Sequence, residues 1–216
     1  MRAPTKTDLL GATAVGVTIA AVGQEYLTIW RRGRAPLPTE TEHVLEAGAE
    51  AARETVEIAV TGYRLSPLRE NSLLNLMVSY ALTAGIVRVA TTVIRSRGSF
   101  GPFRNRTVSG RHIHHFLPGI ALAFLAGGAS IVSRDEGLDP WFAVPFGVGA
   151  ALTLDEAALL IELEDVYWSE EGILSVQATL GTMSLLGALA LTLRALRRGE
   201  RVVLDGGRVE KGAGAA

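Results

Sequence analysis

GILSVQATLGTMSLLGALALTL, residues 172–193, carries no ionisable side chain from end to end. Wound into a helix at about 1.5 Å per residue, it is long enough to cross the ~30 Å hydrocarbon layer of a bilayer. A surface helix of a soluble protein would instead place charges along one face. Four more runs are nearly as apolar: residues 9–24, 71–87, 116–133, and 140–154 continuing past an acidic pair to 163. The charged residues collect in blocks between them. Across the 216 residues 48 % are hydrophobic and 6 % aromatic, and mean hydropathy is +0.28. These features predict an all-α fold, a multi-pass transmembrane helical bundle forming one domain over residues 1–205. Its five spans are expected near 9–30, 71–94, 116–133, 140–163 and 172–194. The Gly/Ala-rich tail, 206–216, is expected to be disordered.

Residues 42–62 read differently. Glu46, Glu50, Glu54 and Glu57 recur at three- and four-residue spacing with Val44, Leu45, Ala52, Val56 and Ile58 between them. This describes an amphipathic helix at the membrane interface or against neighbouring helices, not one crossing lipid. Ser66-Pro67 then reads as an N-cap followed by proline at the first helical position. The first apolar run is expected to be a retained span, because Gly23-Gln24-Glu25-Tyr26 is a poor cleavage site and Trp30-Arg31-Arg32 reads as an anchor. The chain has no cysteine, which excludes disulfides, thiolate ligands and palmitoylation.

Charge distribution sets the expected orientation. With five spans, one face carries the 31–69 loop, Arg134 and the C-terminal region, with 13 basic residues, and the opposite face carries 7. The positive-inside tendency then places the N-terminus outside and the C-terminus in the cytoplasm. The arginine-rich, Ala/Gly-rich composition suits a bacterial inner membrane protein, whose expected partners are membrane lipids. No basic-aromatic surface suggests nucleic acid, and no phosphate loop, nucleophile elbow or zincin helix is present.

The residues with chemistry lie around the third and fourth spans. His112, His114 and His115 precede the third, and Asp155-Glu156 interrupts the fourth. Acids in an apolar span cost about 2.5–3.5 kcal/mol each on insertion scales, so they face partners or cavities. Two stripes of small residues, Gly119/Ala123/Gly127 and Gly147/Ala151, predict close approach of the two spans. Folding the hairpin about position 137 pairs Gly127 with Gly147, Ala123 with Ala151 and Gly119 with Asp155. It also sets His115 level with Leu159 and His112 level with Glu162. The candidate metal ligands are therefore His112, His115, Asp155 and Glu162, with His114 and Glu156 as secondary candidates. Mixed imidazole and carboxylate donors suit a divalent zinc, iron or manganese ion with a water position left open.

Two function classes follow. One is a metal-dependent enzyme at the membrane surface. The other is a non-enzymatic membrane protein, a small transporter or a scaffold, in which the histidines, acids and arginines form a structural polar network. In that network Arg88, Arg111 and Asp165 are the expected pairing residues, with Arg88 reaching Asp155 or Glu156.

The segments Leu68-Arg69-Glu70-Asn71-Ser72, Arg111-His112-Ile113-His114-His115-Phe116 with Pro118-Gly119, and Leu152-Thr153-Leu154-Asp155-Glu156 continuing to Glu164-Asp165-Val166-Tyr167-Trp168 resemble an uncharacterised family of bacterial multi-pass integral membrane proteins. The resemblance covers roughly residues 65–180. It implies a multi-pass membrane protein and no activity.

Overall fold

The computed structural model describes residues 6–97, 107–108, 111–112, 116–155 and 170–205. The fold is helical: α1 Lys6–Arg32, α2 Val44–Arg64, α3 Leu68–Arg97, α4 Phe116–Ser133, α5 Asp139–Asp155 and α6 Glu170–Glu200. The extended pieces among the described residues are β1, Thr107–Val108, and β2, Arg111–His112, paired antiparallel with Thr107 opposite His112. Among the described residues two stretches are long and apolar enough to cross a membrane, Leu68–Ala90 and Gln177–Leu204, and Leu117–Ser133 is a shorter apolar helix. The tail expected to be disordered, 206–216, lies outside the described residues, as does the continuation of the fourth span beyond Asp155. Contacts divide the chain into two compact units, Met1–Ala14 with Ser72–Ala188, and Val15–Asn71 with Leu189–Ala216.

In the first unit the hairpin of α4 and α5 is closely packed through small residues. A Cβ added at Gly149 would come within 2.6 Å of the Ala123 nitrogen and the Gly119 carbonyl oxygen. One added at Gly119 would meet Leu152 Cβ at 2.8 Å and the Thr153 nitrogen at 2.9 Å. Gly127 faces the Phe146 ring. The register is thus about two residues displaced from the expected one, and Gly119 meets Thr153 instead of Asp155. The connection explains the displacement. Asp135 caps a single 3₁₀ turn, Glu136–Leu138, by accepting from the Gly137 N–H at 2.9 Å. Helix α5 then begins at once at Asp139, whose carboxylate accepts from Ser130 Oγ at 2.6 Å. The midpoint of the hairpin therefore falls near residue 136.

Gly147 does not face α4. It lies against Leu76 and Ser79 of α3. Nearby, Asn75 Nδ2 donates to the Pro140 carbonyl at 2.8 Å, and Gly187 of α6 packs on the Met77 sulfur. Helix α5 is sandwiched, with small residues on two faces. The large side chains point outward: Phe124 is 78 % and Ile131 79 % exposed, whereas Ala126 and Ala151 are buried.

The second unit has its core at Ile29, Ile58, Leu196 and Leu204, flanked by Ala59, Leu193 and Val203. Its closest crossing joins α2 to the last turns of α6. Gly62 lies on the backbone of Ala195, and Gly199 on the backbone of Ile58 and Gly62. Side chains there would force the helices apart. Helix α2 buries Ala47, Ala51, Glu54, Ile58 and Gly62, one face at helical spacing. Leu45, Val56 and Val60 lie half a turn away and are exposed, Leu45 at 91 %. The expected amphipathic helix is therefore present, with two apolar stripes and an acidic flank.

Glu54 is a charge on the buried face, 4 % exposed. Its carboxylate accepts the Arg34 backbone N–H at 2.9 Å and Arg34 Nε at 3.3 Å, while Arg34 Nη2 donates to Glu57 at 2.7 Å. Hydrogen bonding and attraction from Glu57, then Glu54, hold the Arg34 guanidinium more firmly protonated than usual. The expected cap at Ser66 is replaced. Its hydroxyl donates back to the Gly62 carbonyl and accepts from Arg198 Nη1, so the Pro67 carbonyl takes the first bond of α3, from the Asn71 N–H.

Candidate polar site at the end of the α4–α5 hairpin

The α4–α5 packing sets the beginning of α4 level with the end of α5. Gly119, one turn into α4, touches Leu152 and Thr153 in the last turn of α5. His115 immediately precedes Phe116, the first residue of α4, and Glu156 immediately follows Asp155, the last of α5. Both chains therefore leave the hairpin at the same end.

Three helices of this unit contribute polar groups there. Arg88 of α3 donates from Nη2 to Gln177 Oε1 of α6 at 2.8 Å. Gln177 Nε2 in turn donates to the carbonyls of Leu154, at 3.1 Å, and Asp155. The last carbonyls of a helix lack intrahelical donors and carry the negative end of its dipole. An amide that gives its N–H groups to them and its oxygen to a guanidinium satisfies both. Tyr80 of α3 is buried within electrostatic reach of Asp155, and Thr153 Oγ1 is tied to the Gly149 carbonyl at 2.8 Å.

Of the residues expected to form the site, Asp155 stands at this end, half-buried. Arg88 reaches the same end through Gln177. The backbones of Arg111 and His112 belong to β2, opposite Val108 and Thr107. His114, His115, Glu156, Glu162 and Asp165 lie outside the described residues. Among the described residues no group of three or more His, Asp or Glu side chains is placed to hold a metal ion. Sequence reasoning missed Gln177. It is the one amide in the uncharged run 172–193, and a carboxamide in an apolar span asks for a partner. The buried Glu54 was seen only as one of a series of acids.

No family model, curated protein or solved structure matches this chain.

Proposed function

We propose that the protein is an integral membrane protein with five spans, carrying a His/carboxylate site at the shared end of α4 and α5. What supports the membrane reading is the inversion of side-chain size. The hairpin interior is built of Gly and Ala, while Phe124, Leu125, Ile131 and Val132 of α4 and Leu9, Val15, Ile19 and Val22 of α1 are exposed. Soluble monomers rarely expose apolar surface so continuously, whereas helices in lipid pack through small residues and turn large ones outward. The basic-residue split favours an external N-terminus and a cytoplasmic C-terminus, and the Arg-, Ala- and Gly-rich composition suits a bacterial inner membrane.

What supports the site is the hairpin register, which sets the start of α4 level with the end of α5, the two helix ends that the histidine and acidic segments adjoin in sequence. If that register continued past the helix ends, His115 would fall nearer to Asp155 and Glu156 than to Glu162. We assign His115, Asp155 and Glu156 as the first ligands, with His112 and Glu162 further along the same seam. Such donors would hold zinc, iron or manganese, and a metal with an open position activates water for hydrolysis. The resulting reading is a metal-dependent enzyme at the membrane surface. The test is metal content per protein after purification in detergent without chelator. Stoichiometric transition metal in the wild type, lost in His115→Ala while the protein still inserts, supports the site. A metal-free wild type overturns it.

A second reading, a structural polar network in a transporter or scaffold, is favoured by the Arg88–Gln177 bridge to the carbonyls of α5. That bridge gives the Leu154 and Asp155 carbonyls at the helix end a donor from the protein itself.

A further inference from the structure

The second unit gathers cations at one end. Helix α1 finishes in Arg31 and Arg32, α6 carries Arg194, Arg197 and Arg198 in its last two turns, and Arg201 opens the turn that follows. Arg32 Nη1 and Glu200 Oε2, 3.3 Å apart, join the two C-terminal ends.

Four of the nearby carboxylates are already committed. Glu200 takes Arg32, Glu70 takes Arg198 through two bonds of 2.6 and 3.0 Å, and Glu54 and Glu57 take Arg34. Glu25 lies beside Glu200 and shares a hydrogen bond with it, and Arg197 is close enough to act on Glu200. Arg31, Arg194 and Arg201 are left exposed, with no carboxylate at ion-pair distance among the described residues. Arg194 feels Glu70 only at longer range. Complementing two helix dipoles needs a cation or so at each end, which Arg32 and Arg198 already provide.

An aromatic pair marks the depth. Tyr26 and Trp30, with ring centroids 5.7 Å apart, occupy the last two turns of α1, and Trp30 Nε1 donates to the Pro36 carbonyl at 2.9 Å. Tyr and Trp collect at the level of lipid headgroups. Cations just beyond such a belt meet the phosphates of the leaflet.

We propose that Arg31, Arg194 and Arg201 form a recognition surface for the phosphate of anionic phospholipids. The proposal rests on the membrane reading and is independent of any metal. The test uses the full chain with Trp141 and Trp168 replaced by Phe, so that Trp30 reports from beside the surface. The protein is reconstituted in vesicles of brominated phosphatidylcholine with or without brominated phosphatidylglycerol, and quenching gives the relative affinity for the two lipids. Wild type should prefer phosphatidylglycerol. The preference should fall about fivefold for each arginine changed to Gln, and it should weaken with salt. Arg53→Gln, on the acidic flank of α2, should leave it unchanged. Inorganic phosphate added to neutral vesicles should not change the quenching. Should the triple variant fail to fold, Arg31→Gln and Arg201→Gln alone supply the first steps. Equal affinity for the two lipids in the wild type, or a preference retained in the variants, overturns the proposal. Absence of quenching by either lipid would instead overturn the membrane reading beneath it.

Discussion

Changing Gly62 to Ala tests whether the second unit is held by backbone-to-backbone contact. The added methyl would fall on the Ala195 carbonyl, 2.5 Å from its carbon and 3.1 Å from the Gly199 nitrogen. Carbon contacts relax near 3.5–4.0 Å, so the helices would have to part by about 1–1.5 Å. What lies in the way is main chain, which cannot swing aside as a side-chain tip can. Overpacking of this kind costs about 1–3 kcal/mol. Against it stands the helix preference of Ala over Gly, about 1 kcal/mol, and this gain is reduced because Gly62 lies in the last turn of α2. Parting the helices also loosens Ile58 against Leu196 in the core. The net expectation is a loss of about 1–2 kcal/mol. Gly23→Ala supplies the contrast, since nothing lies within 4 Å of a Cβ there, and it should be neutral or stabilising by up to about 1 kcal/mol. Titration with a denaturing detergent, followed by helical circular dichroism, measures both variants against wild type. A Gly62→Ala protein as stable as Gly23→Ala would refute the packing argument.

Two further substitutions probe the polar groups. Glu54→Leu should destabilise by about 1–3 kcal/mol, because it removes the acceptor of the Arg34 backbone N–H and guanidinium; the same titration reads the loss, and a neutral result would mean that the α1–α2 connection is held by other contacts. Gln177→Leu and Arg88→Leu act on one bridge, so their effects on stability should be clearly less than additive in the double variant; simple additivity would show that the bridge is not a unit.

The helices themselves were legible in the sequence. Span 116–133 coincides with α4, and 42–62, 71–94 and 172–194 lie within two to six residues of α2, α3 and α6 at each end, because apolar runs bounded by charge blocks fix where a helix stops. Of the candidate site, the close approach of α4 and α5 was legible, and its histidines and most of its acids lie outside the described residues. The hairpin register depended on how the 134–138 connection is built, and the Asp135-capped turn, with Arg134 at a φ of 51°, carries no periodic signal. Two residues of error were enough to exchange Gly147 for Gly149 as the partner of α4 and to set Gly119 against Thr153 instead of Asp155. Small residues on both faces of α5 also read as a single stripe, since a sequence does not say how many neighbours a helix has. Gly62 and Gly199, distant in sequence, gave no sign of each other.

The histidine and acidic segments are proposed to meet at one end of the α4–α5 hairpin. Because the chain has no cysteine of its own, any disulfide must come from introduced residues. His115→Cys is combined in turn with Cys at 155, 156, 159 and 162, and each protein is exposed to a mild oxidant in its membrane. A disulfide needs Cα atoms about 4.4–6.8 Å apart. Closure is expected at 155 or 156, and weaker or no closure at 162. Failure of every pair to close would contradict it.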